Sequence, residues 1–310
     1  MQTFTNYEQI LESVKQTKTA TVAIAGADAS AIEAFHASRS FARALLVGEK
    51  AAIEKAAADI GVDLTADGFK IEEAGPDEAS VAARAVELVR TGQAEMLMKG
   101  SVKTATLMHA VLDRQTGLRP AHGETLLSHV SCIKTATYPK LLFATDAGIV
   151  IYPTLEQKKA ILRNALVAAA ALGVKNPKVA PLCAVETVNE KMPETLDADA
   201  LRRAGEAGEF GAAVVSGPMA MDVAVKKECA KKKKIDSPVA GDADILLYPN
   251  IAAGNIAVKS LLHLADAQVG GVILGATAPI ILLSRADDAD ERLYSVAFSK
   301  LVAEHLARSA

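Results

Sequence analysis

A chain of 310 residues that is 50% hydrophobic can bury a sizeable core, in one large domain or two ordinary ones. Its formal net charge of −3 gives no drive toward nucleic acid or an acidic membrane, and with no Trp and 4% aromatic residues it has little to stack on exposed bases. Three scattered cysteines, Cys132, Cys183 and Cys229, form no C-x-x-C pair and argue against a disulfide framework or a zinc site.

The leading MQTFTNYEQILESVKQ reads as an ordinary first helix rather than a secretory signal, and no apolar run approaches the roughly 18–20 residues of a membrane span. A soluble, cytoplasmic protein is expected. Residues 19–25 (TATVAIA) predict a strand, followed by a turn at 26–28 and an Ala-rich helix. Residues 44–47 predict a second strand, before a helix over AAIEKAAADI that Gly61 stops. Pro76 and Asp77 open a helix over SVAARAVELVRT and Gly92 closes it. A strand at 95–98 leads to a helix beginning near Thr104. This is the rhythm of a parallel sheet with helices on both faces.

The strand candidates 126–133 and 141–145 are joined by KTATYPK, too short for a helical crossover, and predict an antiparallel pair. Alternation then resumes: a helix over 155–172, strands at 179–185 and 212–216, a helix from Met219, a strand at 245–248, a helix from Gly254 and a strand at 271–274. The run 280–283 predicts a last strand, and a helix begins near Asp287 and continues over 290–308. Leu293, Val296, Ala297, Leu301 and Leu306 give that helix one buried face. Taking the hairpin as a domain change gives two α/β domains, 1–125 with 285–310, and 126–284.

Four loops carry candidate chemistry. Lys99–Thr104 (KGSVKT) follows a strand and opens a helix, either an anion cradle or an ordinary turn with a Thr cap; it lacks the Walker spacing. Asp242 and Asp244 flank a strand start, as metal ligands or as turn partners. The small-residue loop GATAP at 275–279 allows close backbone approach or a tight reversal. Ser284 and Arg285 bring a hydroxyl and a guanidinium fork to a strand's carboxyl end, where open α/β sheets hold ligands. Glu291 stands seven positions after Ser284 and Asp290 six, within two helical turns. The six histidines form no H-E-x-x-H, and neither G-x-S-x-G nor G-x-G-x-x-G occurs. The lysines at 226–227 and 231–234 read as a solvated helix end.

The segments MLMKGSVKTATLMHAVLDRQTGLR, LLFATDAGIVIYPTLEQKK, VNEKMPETLDADAL, GEFGAAVVSGPMAMDVA, SPVAGDADILLYPNIAAGN and GATAPIILLSRADD resemble the phosphate acetyl- and butyryltransferase family, in order from Met96 onward. The KG-x-V-x-T, GPMAMD and SRAD wording is nearer the butyryl branch. The resemblance implies two α/β domains with a cleft between them, similar to isocitrate and isopropylmalate dehydrogenases. The 284–285 junction and the Lys99–Thr104 loop would face each other there. It implies reversible acyl transfer: butyryl-CoA and phosphate give butyryl phosphate and CoA. The residues it points to are Ser284 and Arg285, with Glu291 or Asp290 as base. For CoA and phosphate binding it points to Lys99, Gly100, Thr104, Arg119, Ser128, Asn255, Thr277 and Pro279. No metal and no tightly bound cofactor are expected, CoA being a substrate. The implied partners are acyl-CoA, phosphate and acyl phosphate, a homodimer or higher homo-oligomer, and an acid kinase, but neither nucleic acid nor a membrane. His109 stands where the family often has Arg, and Arg114 or Arg119 would substitute. Competing readings are an acetyl-CoA-specific enzyme, a dehydrogenase on the shared architecture and a non-catalytic acyl-CoA binding protein.

Overall fold

The computed structural model describes residues 2–65, 68–121, 125–283 and 287–309. The chain forms two compact α/β units, one from Met1–Tyr7 with Leu126–Val269 and one from Glu8–Thr125 with Gly270–Ala310. In chain order the first segment gives α1 (Tyr7–Gln16), β1 (Ala20–Ala25), α2 (Ala29–Ser38), β2 (Ala42–Gly48), α3 (Lys50–Asp59), β3 (Phe69–Glu73), α4 (Glu78–Arg90), β4 (Met96–Lys99) and α5 (Thr104–Leu112). Asp28 and Asp77 cap α2 and α4 by accepting from Ala31 N and Ser80 N. Val81, Ala82, Ala85, Val86, Leu88 and Val89 are the buried stripe of α4, and Gly92 at φ 75 ends it.

The middle segment gives β5 (Ser128–Lys134), β6 (Leu142–Thr145), α6 (Leu155–Ala171), β7 (Lys178–Pro181), α7 (Pro193–Glu206), β8 (Val214–Val215), α8 (Met221–Val225), α9 (Lys227–Lys233), β9 (Ile245–Leu247) and α10 (Ile251–Leu264). A capping box of Thr154 and Gln157 starts α6. The strands lie in the order β5-β6-β9-β7-β8. As the short connection requires, β5 and β6 are antiparallel, while β6, β9, β7 and β8 run parallel.

The last segment adds β10 (Gln268–Leu274), β11 (Ile280–Leu282) and α11 (Ala289–Ser309) to the first. Here the strand order is β3-β2-β1-β4-β11-β10, parallel except for β10 against β11. Because β11 pairs with β4, Ile280 opposite Leu97 and Leu282 opposite Lys99, this strand joins the unit of Glu8–Thr125. The sequence reading returns the chain to that unit only at 285. Val22, Ile24, Leu46, Leu97 and Ile280 are fully buried at its centre, each contributing roughly 1.5–3 kcal/mol. A charge enters this core too: the wholly buried Lys300 of α11 donates to Val14 O (2.9 Å), Glu304 Oε1 (2.8 Å) and the Thr17 hydroxyl.

Candidate functional site

Since β1 and β4 are adjacent and parallel, with Ala25 opposite Lys99, the turns that follow them lie side by side. Gly100 N donates to Ala25 O (2.9 Å) and Ser101 N to Gly26 O (2.6 Å). A Cβ on Gly100 would stand 2.0 Å from Gly26 O, so only glycine fits. Lys99 folds back over this turn, its Nζ donating to Gly100 O (3.0 Å) and Val102 O (3.3 Å). Two of its three donors are thereby used, which fixes a positive charge at the strand end. Thr104 opens α5 and is exposed. The start of α5 already faces a carboxylate, because Glu78 Oε2 accepts from Lys103 N (3.5 Å) and Thr106 Oγ1 (3.3 Å).

Leu282 of β11 is level with Lys99, so this strand and β4 end at the same edge of the sheet. Ser284 and Arg285, the next candidates, lie outside the described residues, as does His122. Beyond the junction, Asp288 and Glu291 form a reciprocal capping box: Glu291 N donates to Asp288 Oδ1 and Asp288 N to Glu291 Oε2, both at 2.8 Å. Glu291 is buried and holds the helix start, whereas Asp290 is exposed.

Arg119, Thr277 and Pro279 come together elsewhere. They line one cavity of about 580 Å³, and Thr277 N donates to Leu118 O (2.8 Å). Pro279 O accepts from Leu97 N (3.2 Å), near the amino end of β4, about 10 Å along the strand from the Lys99 turn. The sequence reading gathers these three with Lys99 and Gly100, and the structure separates the two groups. His109 is exposed on α5 in a second cavity, with Arg84 and Arg90.

Two candidates belong to the unit of Leu126–Val269. Ser128 is wholly buried and accepts from Asn164 Nδ2 (2.8 Å). Asn255, on α10, donates to Ala147 O (3.1 Å), and the neighbouring Gly254 lets the helix close on the loop after β6. Asp242 and Asp244 serve as turn partners: Lys140 pairs with both (2.9 and 2.6 Å), and Asp244 Oδ2 accepts from Lys178 N (2.8 Å). Among the described residues no three His, Cys, Asp or Glu side chains converge as metal ligands.

The sequence reading passes over Asp146. Its buried carboxylate accepts from Gly148 N (2.7 Å), Ile149 N (3.1 Å) and Val150 N (3.0 Å), shaping the whole turn after β6. Asp two residues before Gly after a strand is the signal for such a turn. Burial pulls the adjacent His129 imidazole below its ordinary 6.5, against the opposing effect of the Asp146 carboxylate.

A family model described as "Phosphate acetyl/butaryl transferase" matches residues 66–299. The chain is 42% identical over 301 residues to the phosphate butyryltransferase of Clostridium acetobutylicum, covering 96% of this chain and 98% of that one. It therefore belongs to the phosphate acetyl/butyryl transferase family. A crystal structure of a branched-chain phosphotransacylase from Enterococcus faecalis V583 superposes with a TM-score of 0.79 at 31% identity, over 93% of this chain and all of that one. A Salmonella typhimurium protein assigned as 4-hydroxythreonine-4-phosphate dehydrogenase shares the fold alone (TM-score 0.56, 14% identity, 92% of this chain and 100% of that one). The α/β architecture is thus dehydrogenase-like. Among the described residues no helix is long and apolar enough to cross a membrane.

Proposed function

We propose that this protein transfers an acyl group reversibly between coenzyme A and inorganic phosphate, with butyryl-CoA as the acyl donor. The observation that carries the reading is the near-full-length likeness to a phosphate butyryltransferase, together with the ordered motifs that end at Ser284 and Arg285. Arg285 holds phosphate with its planar fork and balances the charge that develops on the carbonyl oxygen, and Ser284 donates to the same oxygens. In the acyl-CoA-forming direction the thiol sulfur attacks the carbonyl carbon of the acyl phosphate. The bond from that carbon to the phosphate oxygen breaks, phosphate leaves, and a carboxylate takes the thiol proton. Asp290 and Glu291 are the candidates for that carboxylate. Lys99, fixed beside the end of β11, adds positive charge for the phosphate or for CoA.

The test is release of free CoA from butyryl-CoA on addition of phosphate, compared by kcat/KM with acetyl- and propionyl-CoA. No phosphate-dependent release with any of them overturns the reading, and a preference for acetyl-CoA moves the chain to the other branch of its family. Tight CoA binding without exchange of labelled phosphate would favour a non-catalytic acyl-CoA binder. Arg285→Ala is expected to lower turnover about 10²–10³-fold. Asp290→Asn and Glu291→Gln separate the two bases, because Gln at 291 preserves the capping bond.

A homodimer is part of the proposal. Supporting it, Ile256 and Leu264 on α10 are 66% and 84% exposed, beside a loop that exposes Ile151 and Tyr152. Ile256→Lys is then expected to shift the sedimentation coefficient toward the monomer. Cytoplasmic location and an acid kinase that consumes the acyl phosphate complete the reading.

A further inference from the structure

The cavity of about 580 Å³ lies wholly within the unit of Glu8–Thr125 and Gly270–Ala310, at the amino end of β4 and β11. Three guanidinium groups line it, Arg90 from the end of α4 and Arg114 and Arg119 from the segment after α5. Ala278, Pro279, Leu306 and Ala307 add an apolar wall. Two carboxylates share the lining, so its three positive charges stand against two negative ones. Asp113 accepts from Thr116 N (2.7 Å), Gln115 N (2.9 Å) and Thr116 Oγ1 (2.8 Å), bonds that hold its pKa below the ordinary 3.8. Glu95 accepts from Thr21 N (2.7 Å) and pairs with Lys18. Among the described residues no carboxylate pairs with Arg90, Arg114 or Arg119. The three arginines are exposed and outnumber the carboxylates, and a phosphate within reach of their forks gains charge-assisted hydrogen bonds. The volume falls within the roughly 300–1,000 Å³ of small-molecule sites, and the fork of Arg matches phosphate oxygens.

We propose that this cavity binds a phosphorylated ligand of nucleoside-diphosphate size, at a site separate from the acyl-transfer junction. Its pyrophosphate oxygens lie on Arg90, Arg114 and Arg119, and its apolar part rests against Ala278, Pro279 and Leu306. The same cavity touches both segments that flank the junction. Residues 277–279 lead directly into β11, and α11 is the helix that follows residues 284–286. A ligand whose affinity depends on the position of β11 therefore biases acyl transfer. This regulatory consequence rests on the function proposed above, whereas the binding does not.

Calorimetric titration of the full chain with ADP and with inorganic pyrophosphate, each with and without saturating CoA, tests the proposal. The expected result is one ADP per chain, bound more tightly than pyrophosphate and still bound when CoA is saturating. Arg90→Gln, and Ala307→Glu at an exposed position in the apolar part of the lining, should each weaken ADP about tenfold or more. CoA release in the absence of ADP should stay within about twofold of the parent for both variants, since neither touches the junction. Absence of ADP binding overturns the proposal. So does displacement of ADP by CoA, which would place it in the substrate site, and so does full ADP affinity in both variants. Pyrophosphate binding as tightly as ADP overturns the nucleoside part. A parent enzyme that binds ADP but releases no CoA would overturn the function proposed above and leave this site standing.

Discussion

The turns that follow β4 and β6 each close a parallel strand at its carboxyl end, and they are held by opposite means. After β4 the chain is fixed by what is missing: Gly100 and Gly26 bring two backbones together where no side chain fits. After β6 it is fixed by what is present, a buried Asp146 carboxylate that gathers three amides. The first turn is specified by shape and depends little on charge. The second depends on a charge, and hence on its titratable neighbours. The difference teaches that a strand-end loop is rigid in more than one currency of interaction, and the kind of substitution that breaks it follows from which one it uses.

The largest effect is expected for Gly100→Ala, whose Cβ meets backbone rather than a movable side chain. It should cost about 3 kcal/mol in urea unfolding. A loss below about 1 kcal/mol would mean the two turns part easily, and the comparison fails on that side. Asp146→Ala removes the acceptor of three amides and should cost about 2 kcal/mol, less than the sum because the exposed Gly148 amide can turn to water. Asp146→Asn keeps one acceptor oxygen and should fall between Ala and the parent. If Asn equals the parent, charge plays no part.

A smaller, pH-dependent effect separates the turns further. His129 beside Asp146 has its folded pKa lowered below 6.5 by burial. The unfolded state therefore takes up the proton first, and this group's contribution to stability falls as pH drops through 6.5 toward the folded value. The urea midpoint should decline between about pH 7.5 and 5.5. His129→Gln should flatten that decline, as should His305→Gln on α11, whose half-buried imidazole is likewise lowered by burial. A His129→Gln slope equal to the parent's would remove His129 from this pH dependence. The smallest effect concerns Cys132 on β5, whose buried thiol is pushed up to about 12 by desolvation. It should resist a thiol reagent until unfolding, in the parent and in Asp146→Ala alike. Faster labelling in the variant would show that the damage spreads from the turn into the β5–β6 pair.

Much of this architecture is legible in the sequence because its period is strong. The alternation of apolar strands with capped helices predicts the parallel strands, and the brevity of KTATYPK predicts the antiparallel β5 and β6. By contrast, β3 and α7 escape the reading. Phe69–Glu73 is a strand without a fully buried residue, and only Thr195, Ala198 and Leu201 are buried on α7. Gly100 is visible as a glycine, but its cause is Gly26, brought alongside by strand pairing. The grouping of Pro279 with Lys99 follows motif order, which does not record which end of a strand a loop occupies. Yet a loop entering β11 and a loop leaving β4 must lie at opposite ends once the two strands are parallel. The capping box of Asp288 and Glu291 is readable as D-x-x-E, and it gives Glu291 a structural duty that seven-residue spacing alone leaves out.

The short segment 2–7 has a consequence for how the chain is made. Phe4 N donates to Leu172 O (3.1 Å), Thr3 Oγ1 to Gly173 O (2.8 Å) and Tyr7 OH to Cys132 O (2.6 Å). Residues 3–7 are therefore made more than a hundred and sixty residues ahead of the last of their partners, Gly173. During that interval Phe4 and Tyr7 have no native core to enter. A deletion of residues 2–7 acts as a lesion in a unit encoded far downstream, and a gene fragment beginning at residue 126 encodes that unit without its clasp.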